Sequence, residues 1–107
     1  MKIEHLKYDE KETIVRYVMK CYRASKQNVE YLEECDLVQE KIDEYRTEKK
    51  TCLLVERALN EMDVSLRDFF LNELLEKKKV DLVNAKCSRS SYYRIRTLAV
   101  DDFLRCL

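Results

Sequence analysis

The chain has 107 residues, with 21 Lys and Arg balanced by 21 Asp and Glu, and it contains neither glycine nor proline. Without glycine it lacks the positive-φ positions that phosphate-cradling loops and tight hairpins use, so Gly-rich nucleotide loops are excluded and an all-α fold is expected. Hydrophobic residues make up 46% and charged residues 39%, which supplies one modest core but not two independent ones.

Asp9 or Thr13 opens the first expected helix, whose apolar members Ile14, Val18, Cys21, Tyr22, Val29, Leu32 and Cys35 recur at three-to-four spacing. The polar run Ser25-Lys26-Gln27-Asn28 interrupts it only weakly. A second segment, Leu37 or Val38 with Ile42 and Tyr45, either continues this helix or folds back on it, and no glycine or proline marks the bend. Residues 1–47 are therefore expected as an N-terminal helix or helical hairpin. Covering the core is its favoured role; pairing two copies into a homodimer is the alternative.

Residues 48–61 form a further expected helix carrying Cys52, Leu53, Val55, Leu59 and then Met62. Asp63-Val64-Ser65 reads as a junction, with Ser65 capping the next helix, in which Leu66, Phe69, Phe70, Leu71, Leu74 and Leu75 make the most apolar stretch of the chain. A short segment at 80–85 follows the lysines, and Val80, Leu82, Val83, Ala85 and Cys87 offer it apolar positions. The last helix, about residues 89–104, buries Tyr92, Ile95, Ala99, Phe103 and then Cys106 or Leu107. Ser88 caps it, with Ser90 as the weaker candidate. Short helix, brief turn and longer helix is the helix-turn-helix layout. The expected fold is thus a small all-α bundle with a C-terminal helix-turn-helix in residues 48–107, the two parts forming one compact unit.

Charge is segregated along the chain although it sums to zero. Between residues 77 and 96 stand Lys77, Lys78, Lys79, Lys86, Arg89, Arg94 and Arg96 against the single acid Asp81, a local charge of +6 that the rest of the chain offsets. Arg89, Ser90, Tyr93, Arg94 and Arg96 fall outside the buried stripe of the last helix, and Ser91 is borderline. Guanidinium groups placed so can pair with phosphates or grip a guanine edge, while tyrosine and serine hydroxyls serve either. The bland alternative is a terminal helix with a solvated basic face.

The five cysteines, at 21, 35, 52, 87 and 106, form no C-x-x-C pair, and the only histidine, His5, stands near the N-terminus, so neither a metal site nor a cofactor is expected. Cys21, Cys52 and Cys106 sit beside apolar helix positions where a thiol packs as a small hydrophobe. Acidic pairs such as Glu33-Glu34 and Asp101-Asp102 read as solubilising rather than catalytic, and one terminal histidine supplies no Ser/His/Asp arrangement, so an enzyme is not expected. Nothing approaches the roughly 18 apolar residues of a membrane span, and Met1-Lys2-Ile3-Glu4-His5 has no signal-peptide core; a cytoplasmic protein is expected.

The segments Val55-Glu56-Arg57-Ala58-Leu59-Asn60-Glu61-Met62, Arg67-Asp68-Phe69-Phe70 and above all Ser88-Arg89-Ser90-Ser91-Tyr92-Tyr93-Arg94-Ile95-Arg96, followed by Ala99 and Phe103-Leu104, resemble the ArpU/RinA-like transcriptional regulators of phages and prophages in Gram-positive bacteria. The resemblance covers the last 55 to 60 residues, about half of the chain. Those proteins in turn look like the promoter-binding fourth region of bacterial sigma factors. It implies a sequence-specific, nucleoid-associated regulator in a bacterial host, activating late genes, with double-stranded DNA and RNA polymerase as partners. It also implies that Tyr92, Ile95 and Ala99 pack inward while Arg89, Ser90, Tyr93 and Arg94 approach DNA. Two departures stand out: the first helix of the motif is short, and Ala85-Lys86 occupies a turn where glycine is easier. Lys77, Lys78, Lys79 and Lys86 would dock on phosphates and release counterions. The competing expectation is a helical adaptor or inhibitor that binds RNA polymerase or another protein without reading DNA.

Overall fold

The first helix begins one residue before the first expected start. In the computed structural model, which describes residues 3–75 and 89–107 apart from the Leu74 and Leu75 side chains, α1 spans Tyr8–Glu34. Lys7 is the cap residue and has no side-chain acceptor to offer; Glu10 compensates, its carboxylate accepting from the Lys7 backbone N–H at 3.1 Å. Acidic Asp9 and Glu10 in the first turn suit the positive end of the helix dipole. The Thr13 hydroxyl donates to the Asp9 carbonyl at 2.8 Å inside the helix rather than capping it. The 25–28 run does not interrupt α1, and Ser25 is itself buried, between Tyr22 and Val29 on the inward face.

The chain then folds back, and the bend is made without glycine. Asp36 takes the left-handed conformation at φ 57°, Asp36 N–H bonds Glu33 O at 3.3 Å, and Leu37 N–H bonds Leu32 O at 2.9 Å. This is a Schellman closure with aspartate in glycine's usual place, which a short polar side chain tolerates better than most. Cys35 is the C-cap and is exposed rather than part of the apolar stripe.

α2 spans Ile42–Glu61 as one helix, so the segment expected around Ile42 and Tyr45 joins the helix expected at 48–61, and no break falls between residues 47 and 48. Cys52, Val55, Ala58, Leu59 and then Met62 are buried. Leu53 is not: at 100° per residue it falls off the line of Cys52, Val55 and Leu59, and it is 55% exposed.

α3, Val64–Phe70, is capped by Asp63, whose carboxylate accepts from Ser65 N–H at 3.0 Å and Leu66 N–H at 3.3 Å. The expected cap was Ser65. Asp63 takes the role because its backbone is extended just before the first helical turn, while Ser65 already lies within that turn. α3 runs into a π-helical turn, Leu71–Leu75.

α4 spans Arg89–Cys106, two residues longer than expected. Its C-terminal half enters the core, with Ala99, Val100, Phe103 and Leu104 fully buried. Phe103 stacks on Phe70 with ring centroids 4.7 Å apart, and Phe69 meets Tyr92 edge-on at 5.4 Å. Every described helix other than the π turn contributes to one hydrophobic cluster reaching from Ile3 to Leu104. The described residues are predominantly helical, and no strand occurs among them. The short segment expected at 80–85, the Ser88 cap, Cys87 and the side chains of Leu74 and Leu75 lie outside the described residues, as does the turn of the expected helix-turn-helix.

The two aromatic and capping features set a stability prediction. Phe103→Ala removes a fully buried ring and its stacking partner, and should lower the unfolding free energy by about 3–5 kcal/mol. Asp63→Ala should cost about 1 kcal/mol, whereas Ser65→Ala should stay within about 0.5 kcal/mol. Urea unfolding of the three variants checks this; equal losses from Asp63→Ala and Ser65→Ala would remove the capping assignment.

Candidate nucleic-acid interface

From Arg89 to Val100 α4 carries three arginines and no acid. Its burial is graded: no residue of the first two turns is fully buried, and the buried set begins only at Ala99. Arg89, Ser90, Tyr93 and Arg94 are all exposed, and Ser91 is intermediate, matching its borderline position on the helical wheel. The Arg89 guanidinium lies 5.9 Å from the Tyr93 ring centroid, a cation–π contact that orders both side chains on the outer face. The Arg94 guanidinium has no hydrogen-bond or ion-pair partner among the described residues.

Arg96 departs from the expected outward set. Its side chain is only 17% exposed, and Nη2 pairs with Glu12 Oε1 on α1. At three and four residues from Tyr92, Tyr93, Ala99 and Val100 it stands on the flank of the buried stripe, where a carboxylate from α1 waits. Glu12 also accepts from Arg16, at 2.6 Å from Nη2 and 3.1 Å from Nε, so one carboxylate serves two guanidiniums. Arg96 Nε and the neighbouring Tyr8 hydroxyl are buried without a hydrogen-bond partner among the described residues. Burial pushes the Tyr8 phenol up, and the Arg96 charge opposes that shift.

Further polar ties hold the helix. Lys11 Nζ bonds Asp101 Oδ1 at 2.9 Å, both side chains less than one-fifth exposed. Asp102 Oδ2 accepts from Asp63 N–H at 3.0 Å, attaching α4 to the start of α3. The pair expected to be merely solubilising is thus structural, because each carboxylate meets a donor from a neighbouring element. Near the other end of α4, the Tyr92 hydroxyl donates to Glu73 on the π turn. No local pattern announces these ties, since Lys11 and Asp101 lie 90 residues apart in sequence.

Lys77, Lys78, Lys79 and Lys86 lie outside the described residues, so the described part of the expected interface consists of Arg89, Ser90, Ser91, Tyr93 and Arg94, with Arg96 tethered behind them. Among the described residues no three His, Cys, Asp or Glu side chains converge as metal ligands would, and no helix is long and apolar enough to cross a membrane. Cys52 is buried and Cys106 partly so; burial pushes both thiols up, away from the reactive thiolate. No protein-family model, curated protein or solved structure matches the chain.

Two phenols report on these contacts. Tyr92 is pushed up to about 12, first by burial and then by its bond to Glu73; Tyr22 is pushed up to about 12 by burial and by its bond to Glu56 at 3.1 Å. In each case the neutral phenol donates to a carboxylate, and ionisation would set two anions together. The stability these bonds supply is whole below the ordinary phenol value of about 10 and is lost as pH climbs through about 12. Absorbance titration of the phenolates should show a late-ionising fraction that shrinks in Tyr92→Phe and again in Tyr22→Phe. Seven tyrosines all ionising together near pH 10 would contradict both contacts.

Proposed function

We propose that this chain is a DNA-binding transcriptional regulator of the phage and prophage type, with α4 as the element that enters the major groove. The observation that carries the reading is the outer face of α4's first two turns, where Arg89, Ser90, Tyr93 and Arg94 stand exposed on an acid-free stretch. A helix anchored by its C-terminal half with basic and hydroxyl side chains on its leading turns has the form of a recognition helix. The resemblance of the last 55 to 60 residues to ArpU/RinA-like regulators supports the same reading, as does the charge of +6 between residues 77 and 96.

In this account Arg94, which has no partner within the described protein, makes the base or phosphate contact that matters most. Arg89 is pre-ordered over Tyr93 for a neighbouring one. Lys77, Lys78, Lys79 and Lys86 add sequence-independent phosphate attraction, and binding releases counterions. Arg96 acts as a positioning residue: through Glu12 it fixes the rotation of α4 against α1. A single helix-turn-helix gives limited specificity, so a second copy or RNA polymerase supplies the rest; late-gene activation is what the resemblance adds.

The test is fluorescence-anisotropy titration with random duplex and with fragments of the protein's own genomic neighbourhood across a salt series. The expected result is one fragment bound preferentially, log affinity falling linearly with log salt, and a loss of about 1–3 kcal/mol in Arg94→Ala. Absence of binding even at low salt, or identical affinity in Arg94→Ala, would overturn the reading.

A further inference from the structure

α2 carries a surface that neither the core nor the proposed DNA contact uses. Leu53 and Leu54 are 55% and 46% exposed side by side, and Arg46, Lys49, Lys50 and Arg57 surround them in one shallow depression. Arg46, Lys50, Leu53, Leu54 and Arg57 recur at helical spacing, so they form one stripe on the side away from Cys52, Val55 and Leu59. Two of the four cations are lightly occupied within the protein: Lys49 lies 3.8 Å from Glu33 and Arg57 lies 3.6 Å from Glu61. Arg46 and Lys50 have no ion pair among the described residues.

We infer that this face of α2 docks an acidic amphipathic helix of a partner protein, with two apolar residues one turn apart seated on Leu53 and Leu54 and carboxylates reaching Arg46, Lys50 and Arg57. An apolar centre ringed by charge is the anatomy of a protein interface, and the ring here has a single sign, which selects an acidic ligand. The aliphatic stems of the lysines and arginines extend the apolar floor while their heads remain in water until paired.

Charge argues against the other occupants. A second copy of this chain laid antiparallel about Leu53 and Leu54 brings Lys50 of one copy to Arg57 of the other beside the leucines. It reaches an Arg46–Glu61 pair only at the ends of the stripe, where Glu61 is already paired with its own Arg57; a parallel pairing sets each cation against itself. A nucleic-acid backbone engages the cations but leaves two leucines facing phosphate with nothing to bury them. An anionic bilayer asks for a broad apolar face, and this one is two leucines wide. On α2, Glu48 and Glu56 stand outside this stripe and Asp43 and Glu61 stand beyond its two ends, Glu61 paired with Arg57; none of the four lines the depression.

The probe is a fluorescein-labelled synthetic peptide of about five helical turns, with leucines along one face and glutamates flanking them. Anisotropy is read against the whole protein, beside the same peptide with lysine for glutamate, phosphatidylglycerol vesicles and duplex DNA. The acidic peptide should bind and the lysine peptide should not. Leu53→Gln with Leu54→Gln, and separately Arg46→Glu with Lys50→Glu, should each weaken it at least about tenfold with the helical circular dichroism retained. The substituted side chains are exposed, so folding does not depend on them. Failure of the acidic peptide to bind, equal binding of the lysine peptide, insensitivity to both double variants, or binding to vesicles alone would overturn the inference. So would self-association that disappears with Leu53 and Leu54. Arg94→Ala should leave peptide affinity unchanged, and the leucine double variant should leave DNA affinity unchanged, so the two surfaces fail or stand independently.

Discussion

One end of α4 is buried and the other is not, and the consequences of that asymmetry run through the whole protein. Phe103 stacked on Phe70, with Ala99, Val100 and Leu104 around it, fixes the C-terminal half in the core. The N-terminal half gains no comparable apolar burial and is steered by polar contacts at its edge, Arg96 to Glu12 and Tyr92 to Glu73, while Lys11 to Asp101 ties down the C-terminal half. Half-buried ion pairs contribute little net stability against an apolar alternative, but losing one partner strands the other, so they specify orientation more than they add strength. Their effect is to decide which side of α4 faces out, and that side is basic.

The absence of glycine and proline imposes a second constraint. Each described turn is made by ordinary residues: backbone bonds close the ends of α1 and α2, and a polar side chain caps the start of α3. Asp36 takes the left-handed position at the α1–α2 bend, and Asp63 caps α3 while its own N–H is satisfied by Asp102. Aspartate thus takes the role at both turns, because its short side chain tolerates left-handed backbone and bonds to nearby amides.

This explains what was legible in the sequence and what was not. Composition revealed the all-helical fold, and residue types with their spacing revealed the 63–65 junction, the extent of α4 and the second half of the α1 stripe, Tyr22, Val29 and Leu32. In the first half of α1 the buried stripe lies one residue off the expected one: Val15 and Met19 are buried, while Ile14 and Val18 stand only partly covered beside them. The bend at Asp36 left no trace, since its signal in most proteins is a glycine this chain lacks. Ser65 drew attention as a cap because serine and aspartate compete for that role, and backbone geometry, not residue type, decided for Asp63. Arg96 reads as outward from α4 alone; only the arrival of Glu12 from α1 turns it inward. Leu53 reads as core by chemistry, and one step of helical rotation places it on the surface.

The outcome is two basic surfaces of different character on separate helices. The leading turns of α4 present arginine, tyrosine and serine, while α2 presents cations around leucines. The first suits a polar, highly charged ligand and the second an acidic ligand with an apolar side. The most direct test of the central claim is amide and arginine Nε chemical-shift mapping of the isotopically labelled protein as duplex DNA is added at low salt. Shifts should concentrate at Arg89, Ser90, Tyr93 and Arg94, with Arg96 Nε little changed behind Glu12. Shifts confined to α1 or α2 with α4 silent would contradict it.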